Sequence, residues 1–428
     1  MFFYIILAKE QVKIMVWYEW KKIFGSLGGK IVLFLYFAVI VLACWLAVTG
    51  SMNSGTEWVN EQGEQEYGLS AVNKMKDAQN EWEGYLNQEK LTRVLEENAR
   101  INATPEGQST DIHQSNIAYS WKQGFLPIRE LINRSYASDF RSYDYYTADH
   151  LTSIDEDTFY DNRTRLLEEW LYDETDVGND LYTETEKNYL IGQYEKMENP
   201  LYFEYHNGWF QLLSNSSLIS MLGILLLGFL LAGIFSNEFK WKTDSVYFST
   251  LCGKNKATLA KIKAGFILVT VLYWFAMLIY SLFVLSYLGF DGIHCMVQLS
   301  FWKSVYNLTM GQAWGITLIC GYIGNLFLAT LTMFVSAKTK SSVIAVTIPF
   351  VIMFIPSFLQ GISGWLDIVV SLMPVSLLEF YNHLTSFHLM TIFGNVYRVM
   401  DICIPLYFLL TLLLVPVIYR EYRRKQIE

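Results

Sequence analysis

No cysteine occurs between Gly50 and Leu212, a stretch as long as many complete domains. A disulfide framework is therefore excluded there, and any fold must rest on its own apolar core. Of the five cysteines, Cys44, Cys320 and Cys403 fall in apolar runs, Cys252 in a basic loop and Cys295 in a predicted outer loop. An outward domain without disulfides fits a bacterium with little oxidative folding better than a eukaryote. The chain also lacks a phosphate loop, because Gly253-Lys254 has no upstream glycine at the right spacing and precedes Asn255. H-E-x-x-H is absent, and His113, His150, His206, His294, His383 and His388 are dispersed. No catalytic, metal-binding or cofactor-binding residue is therefore expected in this chain.

Charge is missing from the long apolar runs as well. Ion-coupled transporters usually keep an ionisable group within the membrane. Here the nearest candidates are Asp367 and Glu379, both outside the runs, and Asn325 is the one notable amide within a run.

The sequence does contain hydrophobic residues in abundance, 52% with 16% aromatic, which excludes disorder. Charge is segregated. Gly50–Leu212 carries 31 acidic against 13 basic residues, which from chain totals of 41 and 32 leaves 10 and 19 elsewhere. An acidic insertion with basic flanks points to two sides of a membrane and away from nucleic acid.

Residues 1–30 interleave Lys9, Lys13, Lys21, Lys22 and Lys30 with Ile14, Trp17, Tyr18, Trp20 and Phe24. They read as an amphipathic helix along the inner leaflet or as a plain positive flank, and as too charged for a signal peptide. Spans are predicted at 31–49, 213–235, 264–288, 313–336, 342–360 (with Pro349 and Pro356 inside) and 402–419. The basic segments fall on one side throughout. The fold expected is thus an α-helical polytopic membrane protein with six transmembrane helices. Both termini, including the tail 420–428, would be cytoplasmic, with residues 50–212 extracellular and membrane lipid around the spans.

Periodicity in the insertion predicts one long helix through Met75, Trp82, Leu86 and Leu95, a second over Ser115–Tyr136 interrupted at Pro127, a third over Asp155–Tyr172 and a fourth from Thr183. No strand alternation persists. The apolar stretch 361–401 reads as re-entrant or interfacial helices.

The segment 236–263 holds six lysines against Glu238 and Asp244. Phe239, Val246, Tyr247, Thr250 and Leu251 recur at helical spacing, so its first half reads as a short amphipathic helix. It is either a solvated loop or a docking helix that passes force from a partner to the spans. Asn255 is the expected cap of the helix that follows. Glu238 is expected either in the first turn of that short helix or paired with Lys240 or Lys242.

This layout resembles the membrane subunit of ABC-2-type ABC transporters, the type V exporter permeases. The resemblance rests on an N-terminal amphipathic helix at 8–25, six spans, a large insertion after the first span as in many Gram-positive members, and an apolar segment before the sixth. Glu238-Phe-Lys-Trp-Lys-Thr through Ser249-Thr-Leu-Cys-Gly-Lys-Asn-Lys is similar to the family's acidic residue, coupling helix and basic turn, and Glu204-Tyr-His-Asn-Gly-Trp-Phe is similar to a stretch before the second span. Cys252-Gly-Lys-Asn stands where many members have a Pro-Ser/Thr-Arg turn.

The resemblance implies an exporter permease, homodimeric or heterodimeric, on two copies of a separate ABC ATPase subunit that binds the ATP and magnesium. Glu238, Phe239, Lys242, Asp244, Val246, Tyr247 and Thr250 would form the ATPase-coupling helix. Peptide antibiotics, lipids or drugs would be the cargo, with alternating access driven from the ATPase. The alternatives are a membrane sensor with a ligand-binding outer domain and a secondary transporter.

Overall fold

A computed structural model describes residues 2–49, 57–250, 252–359 and 365–425. The expectations for Gly50–Thr56, Leu251, Gln360–Gly364 and Gln426–Glu428 lie outside the described residues.

The chain is mostly helical, and five of its helices are long and apolar enough to cross a membrane: Leu27–Thr49, Asn207–Lys240, Gly253–Leu288, Met310–Thr339 and Val399–Arg423. They are called the first to fifth long helices below. Ser342–Phe358 is apolar but only 17 residues long. At 1.5 Å per residue it spans about 26 Å, slightly less than a hydrocarbon core of about 30 Å.

The second and fourth long helices are central. In their most apolar windows 61% and 67% of residues are buried within the chain, against 22% for the fifth long helix, which turns Phe408, Leu409, Leu412 and Leu413 outward. Small residues allow the close central packing. Gly265 lies against Met333 and Leu231, and Gly321 against Tyr273 and Ser220. Ser336 Oγ donates to Ala232 O, and Asn325 Nδ2 to Gly321 O at 2.9 Å and Ser220 O at 3.4 Å. Asn325 is thus a helix–helix hydrogen-bonding residue.

The insertion forms a helical domain at one end of this bundle. The single long helix expected through Met75 and Leu95 is instead two, Leu69–Asn80 and Gln88–Asn102. Gly84 causes the break: its φ of 126° is open to glycine and strained for other residues, and it pairs with Phe203 in a two-residue strand contact. Asn87 then caps the second helix, its side chain accepting from Lys90 N. Asp155 caps Glu156–Tyr172, and Thr183 with Glu186 forms a reciprocal capping box. Glu57–Val59 pairs with Gln65–Tyr67, a strand contact too short to leave an alternation in the sequence.

The segment before the fifth long helix also differs from an all-helical expectation. Short helices at Trp365–Ser371, Val375–Leu378 and Phe380–Thr385 lead into a hairpin, Leu389–Ile392 with Asn395–Arg398. Its two-residue turn, Phe393-Gly394, has both φ positive, as a type I′ turn requires. A phenylalanine at the first of these positions hides the usual Asn-Gly signal.

The domain sits on the 289–309 loop and on the Phe387 segment. Phe387 lies within 6.3 Å of the rings of Phe140, Trp170, Tyr182 and Tyr194. Trp302 lies 5.7 Å from Phe159 and Tyr194 donates to Lys303 O at 2.7 Å. The connection between the third and fourth long helices is therefore a buried seat for the domain.

Candidate coupling site

At the opposite end the second long helix stops at Lys240. Lys242 takes φ 55°, a left-handed residue that ends the helix, and Thr243 N donates back to Glu238 O at 2.8 Å. The expected helix from Glu238 to Thr250 is thus broken. Glu238 and Phe239 belong to the last turn of the long helix, and the short helix is the six residues Asp244–Ser249. Six residues cannot hold a helix alone, so packing must do so.

Glu238 is not paired with Lys240 or Lys242, both of which are exposed. A carboxylate in a last turn opposes the helix dipole and needs compensation. Lys261 of the third long helix supplies it, donating to Glu238 at 2.8 Å, to Glu19 at 3.0 Å and to Ile234 O at 2.7 Å. All three ammonium hydrogens are used. Lys22 donates to Glu238 at 2.9 Å and Glu19 at 3.1 Å, and Thr243 Oγ1 donates to the other Glu238 oxygen at 3.0 Å. Glu19, Glu238 and Lys261 are buried, and the four charges sum to zero. Burial opposes the charge on Lys22, but Glu19 and Glu238 outweigh it and raise its pKa.

Glu19 and Lys22 come from the N-terminal helix, Phe2–Gly25. The quartet therefore ties three helices in one register. Trp20 adds to this, donating from Nε1 to Ala264 O at 3.1 Å, so it packs inward, whereas Trp17 and Tyr18 are exposed.

Phe248 fixes the short helix. Its ring is 5.9 Å from Phe239 and 5.3 Å from Tyr422 of the fifth long helix, and Tyr422 is 4.7 Å from Phe235. Burying one such ring stabilises by about 1.5–3 kcal/mol. Tyr247 is half-buried, 6.0 Å from Tyr422 and 5.4 Å from the Lys261 ammonium. Val246 faces away and is 67% exposed, with Lys242, Ser245, Ser249 and Thr250 exposed beside it. Asp244 opens the short helix, where its charge is favourable. The next segment is a π-turn, Gly253–Ala257, preceded by Cys252, so Asn255 lies inside it and caps nothing.

The seven residues expected to act together thus fall into two groups. Glu238, Phe239 and Tyr247 are joined to the bundle, while Lys242, Val246 and Thr250 are exposed on the surface, with Asp244 between. Sequence reasoning missed Glu19, Phe248 and Tyr422. Glu19 gave one usable sign, an acid three residues before Lys22 in a lysine-rich helix. Tyr422 gave none, since its ring partners Phe235, Phe239, Tyr247 and Phe248 lie far away in the sequence.

Comparison of the chain with protein-family models, with curated proteins and with solved structures finds no match.

Proposed function

We propose that this chain is the membrane subunit of an ABC-2-type exporter, driven by a separate ABC ATPase. The observation that carries the reading is the short helix Asp244–Ser249. It projects at the basic end of the bundle, is locked to three long helices through Phe248, Tyr422 and the Glu238–Lys261 pair, and presents Val246 to solvent. A push on that face is transmitted to the second, third and fifth long helices and, through Glu19, to the N-terminal helix.

In this reading Ser342–Phe358 is a short sixth crossing, both termini are cytoplasmic and the inserted domain is extracellular in the cell membrane. ATP and magnesium belong to the partner, and a second permease copy completes the transporter. A stripe on the otherwise central second long helix supports a substrate path. Asn207, Phe210, Ser214, Ser217, Met221, Leu225, Phe229, Gly233 and Asn237 recur at helical spacing and stay incompletely buried. The stripe carries Asn207, Ser214 and Ser217 near the inserted domain and is apolar from Met221 to Phe229, before Asn237 at its far end.

The test is co-purification from mild detergent. A P-loop ATPase should accompany the wild-type chain and be lost with Val246→Asp, which alters only an exposed position. Tyr247→Asp is a poorer probe because Tyr247 packs on Lys261 and Tyr422.

A further inference from the structure

A cavity of about 410 Å³ lies where the inserted domain meets the start of the second long helix. Three helices of the domain, residues Tyr205–Phe210 and Leu299–Ser300 line it, and it stays open to solvent on one side. Its walls combine the apolar or aromatic Met75, Tyr119, Tyr205 and Phe210 with polar side chains such as Gln79 and His206. The volume is that of sites for drug-sized molecules.

Two carboxylates, Glu57 and Glu130, border the same space. Glu130 is already committed: Arg134 donates to it at 2.7 Å and Tyr143 at 2.6 Å. Glu57 is exposed and forms no salt bridge among the described residues, and its charge, with Tyr145 nearby, adds to the burial that pushes the Tyr119 phenol up. Arg134 also lines the space and is held by Glu130, so the lining carries a net charge of about −1, the solvent-accessible Glu57 carboxylate, beside aromatic faces. Both features attract a cation, one by Coulomb energy and the other by ring quadrupoles. The surrounding domain, with 31 acidic and 13 basic residues, adds a field that concentrates cations there.

We infer that this cavity is a binding site for an amphipathic organic cation, with the charged group at Glu57 and the apolar body between Met75, Tyr119 and Phe210. Phe210 belongs to both the cavity and the incompletely buried stripe of the second long helix, so the site opens onto the proposed path. The inference takes export as its setting and names the cargo class. Its test needs no ATPase. A chain that binds the cation but recruits no ATPase would remove the exporter reading alone.

The experiment is fluorescence polarisation of rhodamine 6G, a lipophilic cation, with the full-length chain in nanodiscs of zwitterionic lipid, empty nanodiscs giving the baseline. Fluorescein, an anion of similar ring system, is the charge control. Saturable rhodamine 6G binding is expected, about 10-fold weaker in Glu57→Gln as one charge contact is lost. Met75→Trp, which fills the cavity, should abolish it, and fluorescein should not bind. The inference is overturned if the wild-type chain shows no saturable binding, if Met75→Trp binds as the wild type does, or if Glu57→Gln leaves affinity unchanged.

Discussion

The two ends of the bundle are held by different physics. At the basic end Glu19, Lys22, Glu238 and Lys261 form a buried, neutral quartet whose members come from three helices. At the other end the inserted domain rests on ring contacts and scattered hydrogen bonds, with one partly exposed ion pair, Lys76–Asp291. Phe140, Trp170, Tyr182 and Tyr194 surround Phe387, and Arg163 lies over Trp302 and Tyr194 with no carboxylate partner among the described residues, its pKa lowered by burial to about 10. Ring contacts are broad and tolerate small sliding. A buried ion pair accepts one register and penalises loss of a partner more than its presence stabilises. The basic end is therefore built to keep helices in step, and the domain end to give area while permitting adjustment.

The largest expected effect comes from breaking the rigid end. Lys261→Met leaves Glu19 and Glu238 buried together with only Lys22 between them. It should cost about 3–5 kcal/mol in chemical denaturation in mixed micelles. Adding Glu19→Gln should recover much of that loss, since one stranded charge is removed. No recovery would mean that the residues do not act as a unit.

At the domain end Phe387→Ala should cost less, about 2–3 kcal/mol, because the ring is only partly buried. Hydrogen exchange should rise in residues 380–398 while the helix Glu156–Tyr172 stays protected. If protection is lost equally throughout the domain, the interface is not separable from its core.

Acid separates the ends more gently. Burial, with His388 nearby, lowers the pKa of His383 to about 3 from an ordinary value near 6.5, against a smaller opposing hydrogen bond with the Ser376 backbone. The unfolded chain therefore takes up the proton first. Stability is complete above about pH 6.5 and falls on acidification, by at most ~1.4 kcal/mol per pH unit, until the folded group titrates. His383→Gln should flatten the fall between pH 6.5 and 5. Lys22 behaves oppositely: its raised pKa gives a contribution present below about pH 10.5 and lost only as pH rises beyond it. The quartet is thus indifferent to mild acid.

The legible parts of the fold are those governed by local pattern. Long uncharged runs mark the five long helices, and the capping box at Thr183–Glu186 marks a helix start to the residue. The helix expected through Trp82 failed because the i, i+3, i+4 pattern continues on both sides of Gly84, whose strand partner Phe203 is 119 residues away. The short helix shows the same limit. Val246 and Tyr247 carry the visible periodicity, yet Phe248 is the buried anchor, because Phe239 and Tyr422 converge on it through tertiary packing alone. Glu238 stands out in the sequence as an acid in a basic segment, but its partners Lys22 and Lys261 lie on other helices.

Val246→Asp carries the smallest expected effect on stability, within about 0.5 kcal/mol, since the side chain is exposed. For that reason it tests the central claim most directly. The tagged chain would be purified in mild detergent and its associated proteins identified, for the wild type and for Val246→Asp at matched folding stability. Retention of a P-loop ATPase by the wild type, and its loss from the variant, is the predicted result. An ATPase held equally by both, or by neither, would contradict the assignment of Asp244–Ser249 as the element that receives the stroke.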